Sequence, residues 1–149
     1  MEEAGTAAAI LNAKGHGVFT IAPDASVYSA IERLAERNIG ALVVMDGERM
    51  VGVFSERDYT RKVALHGRSS KDTLVREVIT GRVHTVTPSA TVPECMQIMV
   101  ENRVRHLPVV EGERVVGVLS IGDLVNWIIR SQRATIEQLH SYIAGGYPG

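Results

Sequence analysis

Two stretches of the chain carry the same order of apolar and polar positions. Each begins with a short apolar run that reaches a proline, Pro23 in the first stretch and Pro88 in the second. A segment with apolar residues at helical spacing follows, and then come two apolar runs joined by an acidic residue and a glycine. These patterns predict a strand, a helix and a β-hairpin. A last amphipathic segment completes the order β-α-β-β-α in both stretches.

The first helix of each stretch is predicted over Val27–Asn38 and Val92–Asn102. Ser26 and Thr91 stand where an N-cap residue belongs, because a hydroxyl there can accept a bond from a free backbone N–H. Gly40 is expected to cap the C-terminus of the first helix. The apolar faces of the two helices are expected to comprise Val27, Ile31, Leu34, Met96, Met99 and Val100.

The two stretches form an internal duplication. Val18–Val63 aligns on Val83–Ile128 without a gap, 65 residues later in the chain. One unit of this size is near the lower limit for burying a core, so the two units are expected to pack together about a pseudo-two-fold axis. We predict an α+β protein made of an N-terminal segment 1–17, a first repeat 18–66, a linker 67–82, a second repeat 83–130 and a helical tail 131–149 that Gly145 and Gly146 end.

Composition excludes several classes of protein. The 149 residues carry a net charge of −1, so no basic field points to nucleic acid. Membrane association is not expected, since no apolar run approaches the roughly 20 residues that span a bilayer. Cys95 is the only cysteine, which excludes a disulfide within the chain. The chain begins with Met-Glu-Glu, without the positive charge of a signal peptide, and we expect a cytoplasmic protein.

The repeated motifs resemble a known family. Both halves contain Thr-x-x-Pro, Val-Gly-Val and Ser-x-x-Asp in the same order, and the second half reads HLPVVEG before VGVLSIGDL. This combination resembles the CBS domain pair, or Bateman module, over about residues 18–129, and is similar to its small stand-alone members. The resemblance implies tandem β-α-β-β-α CBS repeats that bind adenosine-containing ligands (AMP, ADP, ATP, S-adenosylmethionine or NAD) and regulate another protein. It also implies a homodimer.

The Ser-x-x-Asp motif, at Ser55–Asp58 and Ser120–Asp123, has two compatible interpretations. A serine followed three residues later by an acid is a capping box, which needs no ligand. A helix start also offers free N–H groups to a phosphate, and an aspartate can accept both hydroxyl protons of a ribose. The resemblance implies that Asp58 and Asp123 bind ribose, with Ser55 and Ser120 near the ribose or phosphate.

An adenine ring would need backbone groups at its edge and apolar side chains on its faces. The backbone of Thr20 and Ile21, or of Thr85 and Val86, is expected to bond the base edge. The residues expected to cover the ring are Ile39, Leu42, Val104, Leu107 and Pro108. The alternative interpretation is that these apolar residues only form the core.

The two copies differ where a phosphate would lie. Arg105 and His106 of the second repeat replace Gly40 and Ala41 of the first. The resemblance implies basic side chains at this position. We therefore expect Arg105 and His106 to contact phosphate in the second cleft.

The first copy carries its own cations after the serine. Arg57 and Arg61 are i, i+4 neighbours, a spacing at which like charges repel unless an anion lies between them. A solvated helix face is the alternative interpretation. Gly122 takes the position of Arg57 in the second repeat and leaves space there. We expect two unequal clefts, the first with Arg57 as its phosphate contact.

Competing functions have weaker support. The five histidines show no metal-ligand spacing, and Cys95 lies in an amphipathic helix as a packed thiol would. We therefore expect neither a metal nor catalytic residues, and His106 beside Asp123 is better explained by phosphate or solvent than by acid–base chemistry. The expected ligand is AMP, with ATP or NAD as alternatives. A ligand-free adaptor is the other candidate, and the apolar residues 127–129 predict a homodimer interface.

Overall fold

The computed structural model describes residues 5–79 and 82–141, without the side chains of 134–139 and 141. The expected helix end at Gly145 and Gly146 lies outside these residues. The elements, in chain order, are α1 (Ala7–Lys14), β1 (Thr20–Ile21), α2 (Val27–Arg37), β2 (Ala41–Asp46), β3 (Arg49–Ser55), α3 (Glu56–Asp58), a π-helical segment (Tyr59–Ala64), a 3-10 turn (Val75–Glu77), α4 (Val92–Asn102), β4 (His106–Glu111), β5 (Arg114–Ser120) and α5 (Ile121–Ser141).

Each repeat is built on a small sheet. The hairpin β2–β3 is antiparallel, and β1 pairs with β2 in parallel. The hairpin β4–β5 repeats this register, but its first strand is reduced to a single bridge between Val86 and Val109. Gly47 and Gly112 turn the two hairpins with φ of 65° and 64°, a conformation that glycine adopts without strain. The predicted α+β fold of tandem β-α-β-β-α repeats is confirmed.

The helix caps agree with the sequence at one end only. Ser26 and Thr91 accept the expected N-cap hydrogen bonds. At the other end, Asn38 and Arg103 adopt the left-handed conformation with φ of 54° and 55°. The expectation that Gly40 caps α2 is therefore wrong, because the helix has already ended two residues earlier. Both copies end in the same way.

The N-terminal segment completes the core of the second repeat. Ala7, Ile10 and Leu11 of α1 are at most 3% exposed and pack with the buried residues of α4, β4, β5 and α5. The backbone N–H of Ala7 donates to the carbonyl of Ala90 at 2.8 Å, which fixes α1 beside the start of α4. The segment that precedes the first repeat in sequence thus packs on the second repeat in space.

The linker does the same for the first repeat. Val75 and Val78 are buried against α2, β2 and β3, and the N–H of Val75 donates to the carbonyl of Ala25 at 2.9 Å. The contact between Val75 and Ala25 matches the contact between Ala7 and Ala90. Each repeat is therefore closed by a short segment from outside it.

The last helix of each repeat begins at Ser-x-x-Asp, but the two copies then diverge. In the first repeat three α-helical residues give way to the π-helical segment Tyr59–Ala64, a form often found at functional sites. In the second repeat α5 continues as an α-helix to Ser141. None of the described helices is long and apolar enough to cross a membrane.

Candidate functional site

A cleft of about 350 Å³ lies between the two repeats and is called the central cleft below. The first repeat contributes the start of its last helix, and the second repeat contributes residues 103–106. The junction between the linker and the second repeat, residues 82–84, forms a third wall. Both repeats are therefore needed to build this site.

The walls of the central cleft are strongly cationic. Two carboxylates, Glu56 and Asp58, and two histidines, His84 and His106, also face it. A cleft that concentrates one sign of charge attracts ligands of the opposite sign. The arginines and lysine that line it are Arg57, Arg61, Lys62, Arg82, Arg103 and Arg105.

Ser55 and Asp58 form a complete capping box at the edge of the central cleft. The Asp58 N–H donates to Oγ of Ser55 at 3.3 Å, and the Ser55 N–H donates to Oδ2 of Asp58 at 2.9 Å. The other oxygen, Oδ1, lies 3.3 Å from Nζ of Lys62 in a partly exposed ion pair. Pairs of this kind contribute little, so a ligand hydroxyl can compete for Oδ1 at small cost.

Ser120 and Asp123 form the same cap in the second repeat. The Ser120 N–H donates to Oδ2 of Asp123 at 2.8 Å, and the Asp123 N–H donates to Oγ of Ser120 at 3.0 Å. Here the same carboxylate oxygen also accepts a 2.7 Å hydrogen bond from Nζ of Lys14. The cavity beside Asp123 measures only about 90 Å³. The two copies share the helix cap, but Asp58 lies beside a cavity of about 350 Å³ and Asp123 beside one of about 90 Å³.

Arg105 and His106 lie beside the second helix start, because the N–H of Ile121 donates to the carbonyl of Arg105 at 2.9 Å and His106 pairs with Ser120 in the β4–β5 hairpin. They line the central cleft together with Arg57 and Asp58. Their expected contact with a phosphate in the second cleft stays a prediction, because these two residues lie beside both helix starts. The repeats face each other, which brings the turn before β4 against the helix start of the other repeat.

Gly40 and His106 meet in the central cleft. A Cβ atom on Gly40 would lie only 3.1 Å from Nε2 of His106, so the missing side chain leaves room for the imidazole. Ala41 begins β2 and is half-buried. Gly122 is exposed, and a Cβ there would meet nothing closer than Oγ of Ser120 at 3.6 Å.

The residues expected to bind adenine are mostly elsewhere. The carbonyl of Thr20 accepts a hydrogen bond from Arg33, and Thr85 lines a separate cavity on the second repeat. Val104 is the one apolar residue of the expected set that lines the central cleft. The others in or against the core of their own repeat are Ile21, Ile39, Leu42, Val86 and Leu107. Pro108 is buried in β4, on the opposite face from the core residue Leu107.

Several lining residues were not predicted from the sequence. Arg82 ends the linker, Val83 and His84 begin the second repeat, and Arg103 is the left-handed residue after α4. Their position just before a strand or just after a helix is the signal that would have found them. Val53, Val83 and Val104 supply the apolar surface of the central cleft.

Burial sets the protonation of His106. Desolvation lowers the pKa of its imidazole below the ordinary 6.5 and outweighs the nearby carboxylate of Asp123, which raises it. Lys14 and Arg105 lower the pKa further, and Asp58 raises it. The imidazole is therefore neutral near pH 7.

Cys95 is not arranged as a nucleophile. Its side chain is fully buried, and burial raises the pKa of the thiol, with a further increase from Glu94. A buried thiol of raised pKa reacts poorly. Among residues 5–79 and 82–141, no three histidine, cysteine or acidic side chains are grouped as a metal site requires.

A second cavity is an apolar groove between α4 and α5, about 620 Å³ in volume. Trp127 and Ile128 of the predicted apolar patch line it, with Met96 and Val100 on the opposite side. Val100 was expected on the buried face of α4 but is 67% exposed. The groove therefore displays apolar surface to solvent.

Both repeats match a known protein family. Residues 15–65 and 75–130 match the family model described as CBS domain. The chain is 40% identical over 129 residues to the "CBS domain-containing protein CBSX3, mitochondrial" of Arabidopsis thaliana, which covers 83% of this chain and 63% of that protein. The chain thus spans less than two thirds of that relative's length.

Solved structures show the same fold. A putative signal-transduction protein with CBS domains from Burkholderia ambifaria superposes with a TM-score of 0.83 and 48% identity, covering 85% of this chain and 96% of that one. The CBS domain pair of protein MJ0100, crystallised with 5′-methylthioadenosine and S-adenosyl-L-methionine, superposes with a TM-score of 0.77 at 21% identity. It covers 87% of this chain and 99% of that one.

Proposed function

The chain belongs to the CBS domain family, and from that premise we propose that it is a regulatory module whose central cleft binds an adenine nucleotide. The observation that carries the proposal is the convergence of six arginine and lysine side chains around Asp58, between the repeats. A volume of about 350 Å³ is within the range of small-molecule sites. The module acts by binding and releasing the nucleotide, without catalysis.

The charges of the central cleft suggest how the nucleotide is oriented. Asp58 accepts the ribose hydroxyls on Oδ1, in place of its ion pair with Lys62. Arg57 and Arg105 bind the phosphate, since an arginine fork matches phosphate oxygens. The base lies against the valines of the cleft.

The charge of the central cleft also selects among adenosine compounds. A cationic cleft favours a ligand with phosphate over neutral adenosine and over S-adenosylmethionine, whose sulfonium is positive. We propose AMP as the ligand, with ATP or NAD as the alternatives that carry more phosphate. The adenosine compounds bound to the MJ0100 pair support the adenosine portion only.

The output of the module requires a second surface. The apolar groove between α4 and α5 is the described surface that fits this role, because exposed apolar patches of this kind mark interfaces. We propose that two copies of the chain pair through this groove, and that a regulated protein recognises the pair. The same groove favours the second candidate function, an adaptor that works without a ligand.

A calorimetric titration with AMP, adenosine and S-adenosylmethionine at low and high salt tests the proposal. AMP should bind more tightly than adenosine, S-adenosylmethionine should bind least, and only the AMP affinity should fall steeply with salt. No AMP should be consumed. Equal affinity for AMP and adenosine would exclude a phosphate site, and absence of binding to all three would favour the adaptor.

A further inference from the structure

We infer that the second Ser-x-x-Asp motif, Ser120–Asp123, binds no ligand. It anchors helix α1 instead, through the contact between Asp123 and Lys14. Each chain then binds one nucleotide, in the central cleft. The inference deepens the proposed function and rests on it for the identity of the ligand. The attachment of α1 through Lys14 can be tested without any ligand.

The contacts of Lys14 are those of an anchored side chain. Its Nζ donates to Oδ2 of Asp123 at 2.7 Å and to the carbonyl of Val118 at 3.0 Å. Lys14 is the last residue of α1, whose apolar face is buried in the second repeat. A ligand that used Asp123 would have to displace this ammonium group from its carboxylate and carbonyl partners.

The first repeat shows what the same motif looks like when it is open. The linker residues that complete the first repeat end at Arg82, which corresponds to Lys14 in the segment that completes the second. Arg82 lines the central cleft, and the lysine beside Asp58 is Lys62. Nζ of Lys62 donates to the carbonyl of Val78 at 2.9 Å and lies 3.3 Å from Oδ1 of Asp58, farther than the 2.7 Å of Lys14 to Asp123. The open copy has a cavity of about 350 Å³, and the copy closed by Lys14 has about 90 Å³.

The second repeat has also lost the cations that a phosphate would need. Its equivalent positions hold no charge, and the cations that line the small cavity beside Asp123 are Lys14 and Arg130. Loss of these cations and gain of Lys14 both disfavour the binding of a nucleotide at Asp123. The replaced residues and their counterparts are Arg57 and Gly122, Arg61 and Asn126, and Lys62 and Trp127.

Trp127 provides a built-in reporter of this attachment. It is the only tryptophan of the chain and lines the cavity beside Lys14 and Asp123. Its indole also lies against Gly5, where a Cβ atom would be 2.2 Å from Nε1. Movement of α1 or of the residues before it therefore changes the surroundings of Trp127.

The matched substitutions Asp58→Asn and Asp123→Asn test the inference. Asparagine keeps one oxygen that can accept the cap hydrogen bond and replaces the other by an uncharged NH2 group, so both variants should fold. The number of AMP molecules bound per chain and their affinity are measured by calorimetry. Hydrogen exchange of the α1 amides and Trp127 fluorescence measure the attachment of α1. Lys14→Gln gives a second route to the same loss, and Lys71→Ala is a control lysine outside both sites.

The wild type should bind one AMP per chain. D58N should weaken AMP by about 10- to 100-fold, the loss expected for a charged hydrogen-bond partner, with α1 protection unchanged. D123N and K14Q should keep AMP affinity within about twofold. Both should speed exchange of the α1 amides by about two- to fivefold, as for loss of one partly exposed ion pair, and alter Trp127 emission.

Two results would overturn the inference about Lys14 and Asp123. Both can be distinguished from a failure of the proposed nucleotide binding. Two AMP molecules per wild-type chain, or an affinity loss in D123N equal to that in D58N, would show that Asp123 binds ligand. Unchanged α1 exchange in both D123N and K14Q would show that Lys14 anchors nothing. Absence of any nucleotide binding to the wild type would instead refute the proposed function, while the exchange data would still decide the role of Lys14.

Discussion

Leu11 packs against the backbone of Gly117 so closely that a Cβ atom at position 117 would lie 2.6 Å from both of its methyl carbons. Ile79 has the same relation to Gly52, with 2.7 Å to its Cδ1. Both glycines are the centre of the repeated Val-Gly-Val. The motif is thus explained by the segment that packs across each hairpin, since any side chain at that glycine would push the segment away.

Replacement of Gly117 by alanine should therefore destabilise the protein. The added methyl group overpacks the contact with Leu11, which costs about 1–3 kcal/mol of unfolding free energy. Gly17→Ala is the matched control, because a Cβ there would meet nothing closer than 3.8 Å. Chemical denaturation measures the unfolding free energy of both variants. Equal stability of G117A and G17A would show that Leu11 moves aside for the added methyl group without cost.

Arg57 and Arg105 should both act on the phosphate of a single nucleotide. R57A and R105A should each weaken AMP by about tenfold, because each loses a charged hydrogen bond, and should leave adenosine unchanged. Arg49→Ala, on the far end of the β2–β3 hairpin, should change neither. Calorimetry on the three variants decides the point. Equal losses for AMP and adenosine would mean that these arginines shape the cleft without binding the phosphate.

The lowered pKa of His106 predicts how stability depends on pH. The folded state disfavours the charged imidazole, so the unfolded state binds more protons once the pH falls below about 6.5. The contribution is complete above that pH and is lost as the pH falls towards the lower pKa of the folded protein. His106→Asn should flatten this dependence, whereas His66→Asn, at an exposed position, should not. Denaturation between pH 8 and 5.5 measures it, and a wild-type slope in H106N would contradict the assignment.

The same histidine should link nucleotide binding to protons. A phosphate beside His106 favours the imidazolium and raises the pKa of the ring above its value in the free protein, because opposite charges attract. AMP affinity at the central cleft should then increase as the pH falls from 8 to roughly 6. Titration of the wild type and H106N with AMP at both pH values tests this. An identical pH dependence in the two proteins would show that His106 does not interact with the phosphate.

The apolar groove should hold two chains together. Val100 is 67% exposed and lines the groove, so Val100→Glu places a charge in the proposed interface and should give a monomer. Leu65→Glu is the control, at a position 76% exposed that does not line the groove. Sedimentation velocity at micromolar concentration distinguishes the two. A monomeric wild type, or a dimeric V100E, would exclude this interface.

The sequence alone predicts the parts of the fold that depend on near neighbours. Ser26 and Thr91 are identified as N-caps because the cap is formed with an N–H three residues away. Gly47 and Gly112 are identified as turns for the same reason, since a hairpin turn is a local conformation. The C-caps were missed because Asn38 and Arg103 replace the glycine that the left-handed conformation normally favours.

The candidate site depends on contacts between distant segments, and these are not visible in a repeat read by itself. Alignment of the two copies correctly pairs Asp58 with Asp123, yet only the folded chain brings Arg105 opposite Asp58. The sequence alone does not predict that the N-terminal segment packs on the second repeat, because this segment lies outside the duplication. Its signal was an apolar pattern shared with the linker, in which Ala7, Ile10 and Leu11 match Val75, Val78 and Ile79.

The crystal structure of the protein grown with AMP is the most direct test of the central claim. We expect one nucleotide per chain in the central cleft, with the ribose hydroxyls on the carboxylate of Asp58 and the phosphate facing Arg57 and Arg105. Lys14 should remain on Asp123. A central cleft without AMP at a concentration that saturates binding, or a nucleotide bound elsewhere on the chain, would contradict the account.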